Sequence, residues 1–510
     1  MEKYIPRIGK NVIETLTLGM YEDPRFIYRE YVQNAADQID VAVEEGILNR
    51  KSDGTINITI DKENKLIAIE DNATGIESSN VLQFLGDVAN SQKDQSRRKG
   101  FRGIGRLGGL GYCERLIFET SYPGEPKKNI ITLDARQLRK IITDKTIDMD
   151  AATVISVITS PEEKTAHENE HFFRVILQDV TNEMLLEETK IEEYLSMVAP
   201  VPFSKDFIYG KEITKIFRKN NLIMDEYAIN LTINSKQLYK AYKNTIYDKN
   251  NKAASTIIGV SSFKINNDDD GELLAFGWYG ISDRPNYQIP KNNIERGLRL
   301  RKDNIGIGSE FTLSKFFPQN RQNLNYIGEL HALSTSFIPN ARRDYFNDNR
   351  TCQIFEQQIT QFFLHLGTLA QEASQLYNRK KEILEYKSAC EEFKEAVQES
   401  KLTEKEVERK KNELEESKND VLDAIKKINK IKNKTRDNED LKIIYKSVIG
   451  KTDLSIDSVD NFEIKNYPII LSQLNESQQK VVKEIFKIIE DNLPLDKAEM
   501  LKKKIAERYN

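Results

Sequence analysis

The chain has 510 residues, 39% of them hydrophobic and 31% charged; this is too long for one core and enough for roughly three or four domains. Its 76 basic and 80 acidic residues leave a net charge of -4, so no global attraction to nucleic acid is implied and only a local basic patch could provide one. Cys113, Cys352 and Cys390 lie far apart and match no metal spacing or disulfide framework, which suits a reducing cytosol. The start MEKYIPRIGK lacks an apolar signal core, and no run of about 18 apolar residues follows. The reading is a cytoplasmic protein with no membrane partner.

Asp23 followed by Pro24 predicts a helix start, with the aspartate as cap and proline in the first turn. In the helix that follows, Glu30, Asn34 and Asp37 fall at i, i+4 and i+7 and share one face. Such a stripe is either solvated surface or a site in which the carboxylate positions a water and the amide carbonyl ligates a hard cation. INITI and KLIAIED then predict a hairpin, with Ile56, Ile58 and Ile60 alternating in the first strand. Ile67, Ile69 and Asp71 share a face in the second. Asp71 therefore either points inward and needs a donor such as an exocyclic amine, or merely opens the turn DNATG.

Six glycines lie between Gly100 and Gly111. Gly100, Gly103 and Gly105 would let backbone amides approach phosphates, although no Lys-Ser or Lys-Thr follows as in a Walker loop. Further on, HENEH (167–171) satisfies the zinc-protease pattern H-E-x-x-H, but its polar surroundings favour a solvated segment before the strand RVIL. Strand patterns resume from about 200 to 345, in runs such as EYAINLTI and ELLAFGWYGI. Beyond Arg350 apolar residues recur every seventh position, first at Leu369, Leu376, Ile383, Cys390 and Val397. A second series runs through Val407, Leu414, Val421 and Ile428. Two long helices are predicted, forming a hairpin or a coiled coil that dimerises.

ExxxNAxD (Glu30, Asn34, Asp37), DNATG (71–75) and GFRGIG (100–105) resemble, in order, the three motifs of GHKL ATPases. That class includes gyrase, the ninety-kilodalton heat-shock chaperone, histidine kinases and the MutL mismatch-repair protein. The closest likeness is to the chaperone and to MORC proteins. FLGDVANSQKD (84–94) and the strand ending at Thr120 add to it. The implied fold class is α+β: a GHKL-type α/β sandwich over residues 1–190, an α+β transducer domain over 191–350, a long helical region over 351–436 and a small helical region over 437–510.

The resemblance implies ATP and Mg2+ as cofactors. Glu30 would be the general base and Asn34 the magnesium ligand. Asp71 would accept a hydrogen bond from the adenine amino group, with Thr120 supporting it through water and Gly75 beneath the base. Gly100, Gly103 and Gly105 would flank the phosphates as part of a lid, and Asp37 would lie near the nucleotide. Ala73 stands where the family usually has glycine, and no Gly-Thr pair precedes RVIL. The likeness continues through APVPF (199–203), GWYGISDRP (277–285), NNIERGLRLRKDN (292–304) and GELHALSTSFIPNARRDYF (328–346). There Arg343, with Arg342 as the alternative, would reach the γ-phosphate once this loop, distant in the free state, docks.

The likeness stops near residue 346, which argues against a general foldase. It implies a homodimer whose ATP-driven lid closure switches conformation, with a partner effector encoded nearby and a role in bacterial antiviral defence. Rival readings are a MutL- or topoisomerase-like DNA clamp and a nucleotide-gated scaffold with little hydrolysis. A histidine kinase fits poorly, because no histidine precedes His167.

Overall fold

In a computed structural model that describes residues 7–17, 23–86, 105–231, 236–398, 402, 404–456 and 474–509, the alternating runs pair as their periodicity requires. The strands β1 (Thr55–Asp61) and β2 (Leu66–Asp71) form the expected hairpin, with Ile58 opposite Ile69 and Ile56 opposite Asp71. One face carries Ile56, Ile58, Ile67 and Ile69 into the core. The strands β3 (Arg115–Ser121), β4 (Lys127–Asp134), β5 (Thr159–Thr165) and β6 (Phe172–Gln178) extend this sheet on one side. On the other lie β7 (Ala228–Leu231) and β8 (Lys236–Gln237), giving the order β5-β4-β3-β6-β2-β1-β7-β8. Only the β1–β7 pairing is parallel.

Helices α1 (Asn11–Thr17), α2 (Phe26–Glu44), α3 (Val81–Gly86), α4 (Ala135–Thr143), α5 (Ala151–Ile158) and α6 (Glu188–Val198) accompany this sheet in the chain. Most of them contribute to a single apolar cluster with the sheet, α2 supplying Ile27, Val32, Ala36 and Ile39. After α7 (Gly210–Lys219) a second sheet runs β13-β12-β14-β11-β10-β9. Its strands are β9 (Thr245–Tyr247), β10 (Ala253–Asn266), β11 (Leu273–Ser282), β12 (Gly297–Lys302), β13 (Ile305–Ile307) and β14 (Ile327–Ala332). The core beside it is aromatic: the fully buried Trp278 meets Tyr242 edge-on at 4.9 Å and Phe203 of the APVPF segment at 5.8 Å.

By contact the chain divides into Met1–Ser282 with Tyr287–Gly367, and Asp283–Asn286 with Thr368–Asn510. The second unit consists mainly of helix: the greater part of α8 (Arg350–Gln398), then α9 (Glu404–Lys434), α10 (Glu439–Val448), α11 (Glu476–Asn492) and α12 (Leu495–Tyr509). Leu376, Ile383, Val421 and Ile428 from the two heptad series are buried. Glu372 near the start of this unit's part of α8 pairs with Lys434 at the end of α9 (2.5 Å), and Arg379 feels the charge of Asp423. Pairing of early with late positions makes the two long helices an antiparallel hairpin. The fold class is α+β, with two sheet-bearing layers and a long helical region.

Candidate active site

Helix α2 starts later than its sequence suggests. Asp23 Oδ1 accepts from the backbone of Arg25 at 3.0 Å, forming a turn ahead of the helix, and Phe26 is the first helical residue. The polar stripe is not solvated: Glu30 is 6% exposed and Asp37 1%, while Asn34 is half-buried. A helix buried on nearly every side can hold a carboxylate only if counter-charges reach it.

Those counter-charges come from two places. Arg29 lies 3.7 Å from Glu30 Oε1, and Arg343 brings its Nε to 3.0 Å from the same oxygen and donates to Gln33 Oε1. Arg343 belongs to the NARRD loop, whose Pro339 and Phe346 form a bridge. The residue adopts a left-handed backbone (φ 54°) and its carbonyl accepts from Gly308 at 2.9 Å. Gly308 is itself left-handed, and a Cβ there would meet Asp344 O at 2.6 Å. The expectation that this loop is distant until docking is therefore corrected. The two turns already aim Arg343 at α2, whereas Arg342 is exposed.

The third motif meets the first directly. A Cβ on Gly105 would fall 2.4 Å from Glu30 Oε2, so this position admits the carboxylate because it has no side chain. The following turn is fastened to α2 by Tyr31, whose hydroxyl donates to Arg106 O (3.0 Å) and accepts from Gly109 N (3.1 Å). Gly100, Gly103 and most of the segment FLGDVANSQKD lie outside the described residues.

At the other end of the site, Asp71 closes β2, points inward and is 3% exposed, with Oδ1 accepting from Ala73 N at 3.1 Å. Gly75 has φ +67°, and a Cβ there would come within 1.9 Å of Ser121 O. Thr120 is fully buried; its hydroxyl accepts from Ile76 N (2.8 Å) and donates to Phe172 O (3.0 Å), pinning the DNATG turn to the sheet. Thr74 ties the same turn to Gln38 of α2 at 3.1 Å. Ala73 is fully buried, and its carbonyl is met by His171 Nδ1 at 2.6 Å. The H-E-x-x-H segment is thus an irregular connection between β5 and β6, not a ligand-bearing helix, and one of its histidines serves the aspartate turn.

Sequence reasoning did not single out Arg29, Gln33 or His171 as parts of this site. Arg29 and Gln33 carried a weak signal, lying one and three residues from Glu30 on the same helix. His171 carried none.

A family model described as "Histidine kinase-, DNA gyrase B-, and HSP90-like ATPase" matches residues 30–165, the stretch that runs from Glu30 through Asp71, Gly105 and Thr120. Residues 30–165 form a GHKL-type ATPase domain. Chaperone protein HtpG of Acinetobacter baylyi is 26% identical over 132 residues, which is 22% of this chain and 21% of its own length. HtpG of Chlorobium phaeobacteroides is 33% identical over 87 residues (16% and 14%). HtpG of Wigglesworthia glossinidia brevipalpis is 23% identical over 263 residues (47% and 40%). The chain thus spans well under half the length of these relatives.

The donor set fits the cofactors that this family implies. Magnesium is commonly held by one or two protein oxygens together with substrate phosphates and waters. Asn34, one turn from Glu30, carries an oxygen of that kind, so no cluster of three ligating side chains would be required. A buried carboxylate at Asp71 beside a glycine whose backbone is pressed to the sheet suits a flat base with an exocyclic amine.

Proposed function

We propose that the chain is a magnesium-dependent ATP hydrolase in which Arg343, carried by the second sheet's domain, controls the catalytic carboxylate Glu30. The observation that carries this reading is the convergence of Glu30, Gly105 and Arg343 within contact distance, in a domain where Asp71, Gly75 and Thr120 gather at the DNATG turn. Bound ATP would supply the phosphoryl group and magnesium would neutralise its charge. Glu30 would orient and deprotonate the attacking water, and Asn34 would hold the metal. A guanidinium binds phosphate oxygens as readily as a carboxylate. Arg343 exchanging Glu30 for a phosphate oxygen would stabilise the transition state and release the carboxylate to the water.

In this reading residues 1–190 bind nucleotide, 191–350 transduce, and the helices of 351–436 and 437–510 transmit the change. Lid closure around Gly100 to Gly105 and homodimer formation follow the same resemblance, as do control of a neighbouring effector and a place in antiviral defence. A cytoplasmic setting agrees with three cysteines that are all buried and unpaired, and no described helix is long and apolar enough to cross a membrane.

The experiment is a paired titration and turnover assay. Asp71→Asn should abolish ATP binding, because asparagine loses the charge that strengthens the bond to the amine. Glu30→Ala should retain ATP and lose about 10²-fold or more in turnover. Normal affinity in the first variant or normal hydrolysis in the second refutes the assignment.

A further inference from the structure

On the other side of Arg29 and Arg343 lies a cavity of about 430 Å³ that Asp71, Gly75 and Thr120 do not line. Its volume falls within the ~300–1,000 Å³ typical of small-molecule sites. The wall carries seven cationic side chains against four acidic ones, over an apolar floor that includes Phe26, Met197 and Ile294. Part of that charge is cancelled locally. Arg25 pairs with Asp23 at 2.8 Å, and Arg296 and Arg299 approach Glu310 at 3.3 and 3.6 Å. Lys291 and Arg342, both exposed at the cavity, have no ion-pair partner among the described residues.

Arg299 adds buried charge behind the same wall. Arg299 is largely buried; its Nη2 donates to Ile294 O at 2.6 Å, but its buried Nε has no hydrogen-bond partner among the described residues. Burial pushes this guanidinium's pKa down, with Glu310 opposing the shift. Oxyanions complete guanidinium forks well, and the apolar floor accommodates a larger organic body.

We propose that this cavity is a second ligand site, apart from the base-binding end and adjoining the proposed γ-phosphate position at Arg343, that takes a phosphate-bearing small molecule and regulates turnover. The link to turnover is geometric. Arg29 and Arg343 present one side to the cavity and the other to Glu30, so an anion in the cavity competes with Glu30 for both guanidiniums. The regulatory half rests on the reading of Glu30 and Arg343 given above; the binding half does not.

The test is calorimetric titration of pyrophosphate into the full chain, with and without a saturating non-hydrolysable ATP analogue. Pyrophosphate should bind while the analogue is present. Its affinity should fall in the order wild type, Lys291→Gln, Lys291→Glu, by about tenfold or more at the last, as expected for one lost charge-assisted contact. Trp278 emission checks that each variant is folded. No pyrophosphate binding in the presence of the analogue, or binding indifferent to Lys291→Glu, overturns the proposal. Tighter binding of citrate than of pyrophosphate overturns the phosphate class. If the analogue itself fails to bind, the nucleotide reading fails, while the Lys291 series still reports on the cavity.

Discussion

Two clusters of buried charge occur within the same compact unit, and they are built differently. Around Glu30, charges from α2 and from the NARRD loop meet across a glycine, beside a cavity. Beneath the second sheet, Glu329 is fully buried with Lys240 at 2.7 Å, Arg301 at 2.6 Å and His331 at 3.0 Å, and Tyr242 donates to it at 3.2 Å. Arg301 and Lys240 overcome the effect of burial and hold the Glu329 carboxyl well below the usual carboxylate range. Burial pushes Lys240 down to about 8 and His331 to about 4. The perturbation is large here, yet Arg301 also spends its Nη donors on backbone carbonyls and the cluster does not line the 430 Å³ cavity. Perturbed ionisation alone therefore does not mark the reacting site. Convergence of remote segments beside open space distinguishes the first cluster, and the second is a buried clamp joining β12, β14 and the segment before β9.

The comparison can be broken most severely at the clamp. Glu329→Gln leaves Lys240 and Arg301 buried without their counter-ion, which should cost about 3–5 kcal/mol of stability in that region. The sole tryptophan, Trp278, lies 3.4 Å from Glu329 Oε2, so its emission during urea unfolding follows the loss. A midpoint equal to that of the wild type would mean that the clamp contributes nothing.

At the Glu30 cluster the expected loss is of rate. Arg343→Ala should lower hydrolysis by about 10²-fold, or roughly 2.7 kcal/mol, while leaving ATP affinity nearly intact. Arg342→Ala should do less, since that side chain is exposed. Equal loss in both variants would show that the loop acts through general positive charge.

The smallest effect sharpens the contrast between a buried carboxylate held by ion pairs and one that forms none among the described residues. Glu295 is 1% exposed, neither carboxylate oxygen has a hydrogen-bond partner on another described residue, and burial raises its pKa from 4.5 to about 6 against the pull of its own backbone N–H. A folded value above the unfolded one means that the folded state holds the proton more tightly. The stability it confers is present below pH 4.5 and is lost as pH rises through about 6. Glu295→Gln should therefore gain about 2 kcal/mol at neutral pH, the equivalent of that shift, and flatten stability between these two pH values. Unchanged pH dependence in stability measurements would mean that Glu295 is solvated.

By itself the sequence determined what depends on spacing along one segment. The two-residue period placed Asp71 on the same face as Ile67 and Ile69, the seven-residue period marked the buried faces of α8 and α9, and three short motifs in order pointed to the ATPase domain. Their physical basis is local, since backbone geometry alone decides which side chains share a face. Tertiary structure decided everything that needed a second segment. A polar stripe on a helix reads the same whether water or protein covers it, so the burial of Glu30 and Asp37 became clear only with the sheet in place. Heptads allow a hairpin as well as a dimer, and contacts between the middle of α8 and the end of α9 chose the hairpin within this chain. The meeting of Arg343 with Glu30 has no signature in the intervening sequence, because it depends on two left-handed turns and on the absence of a side chain at Gly308.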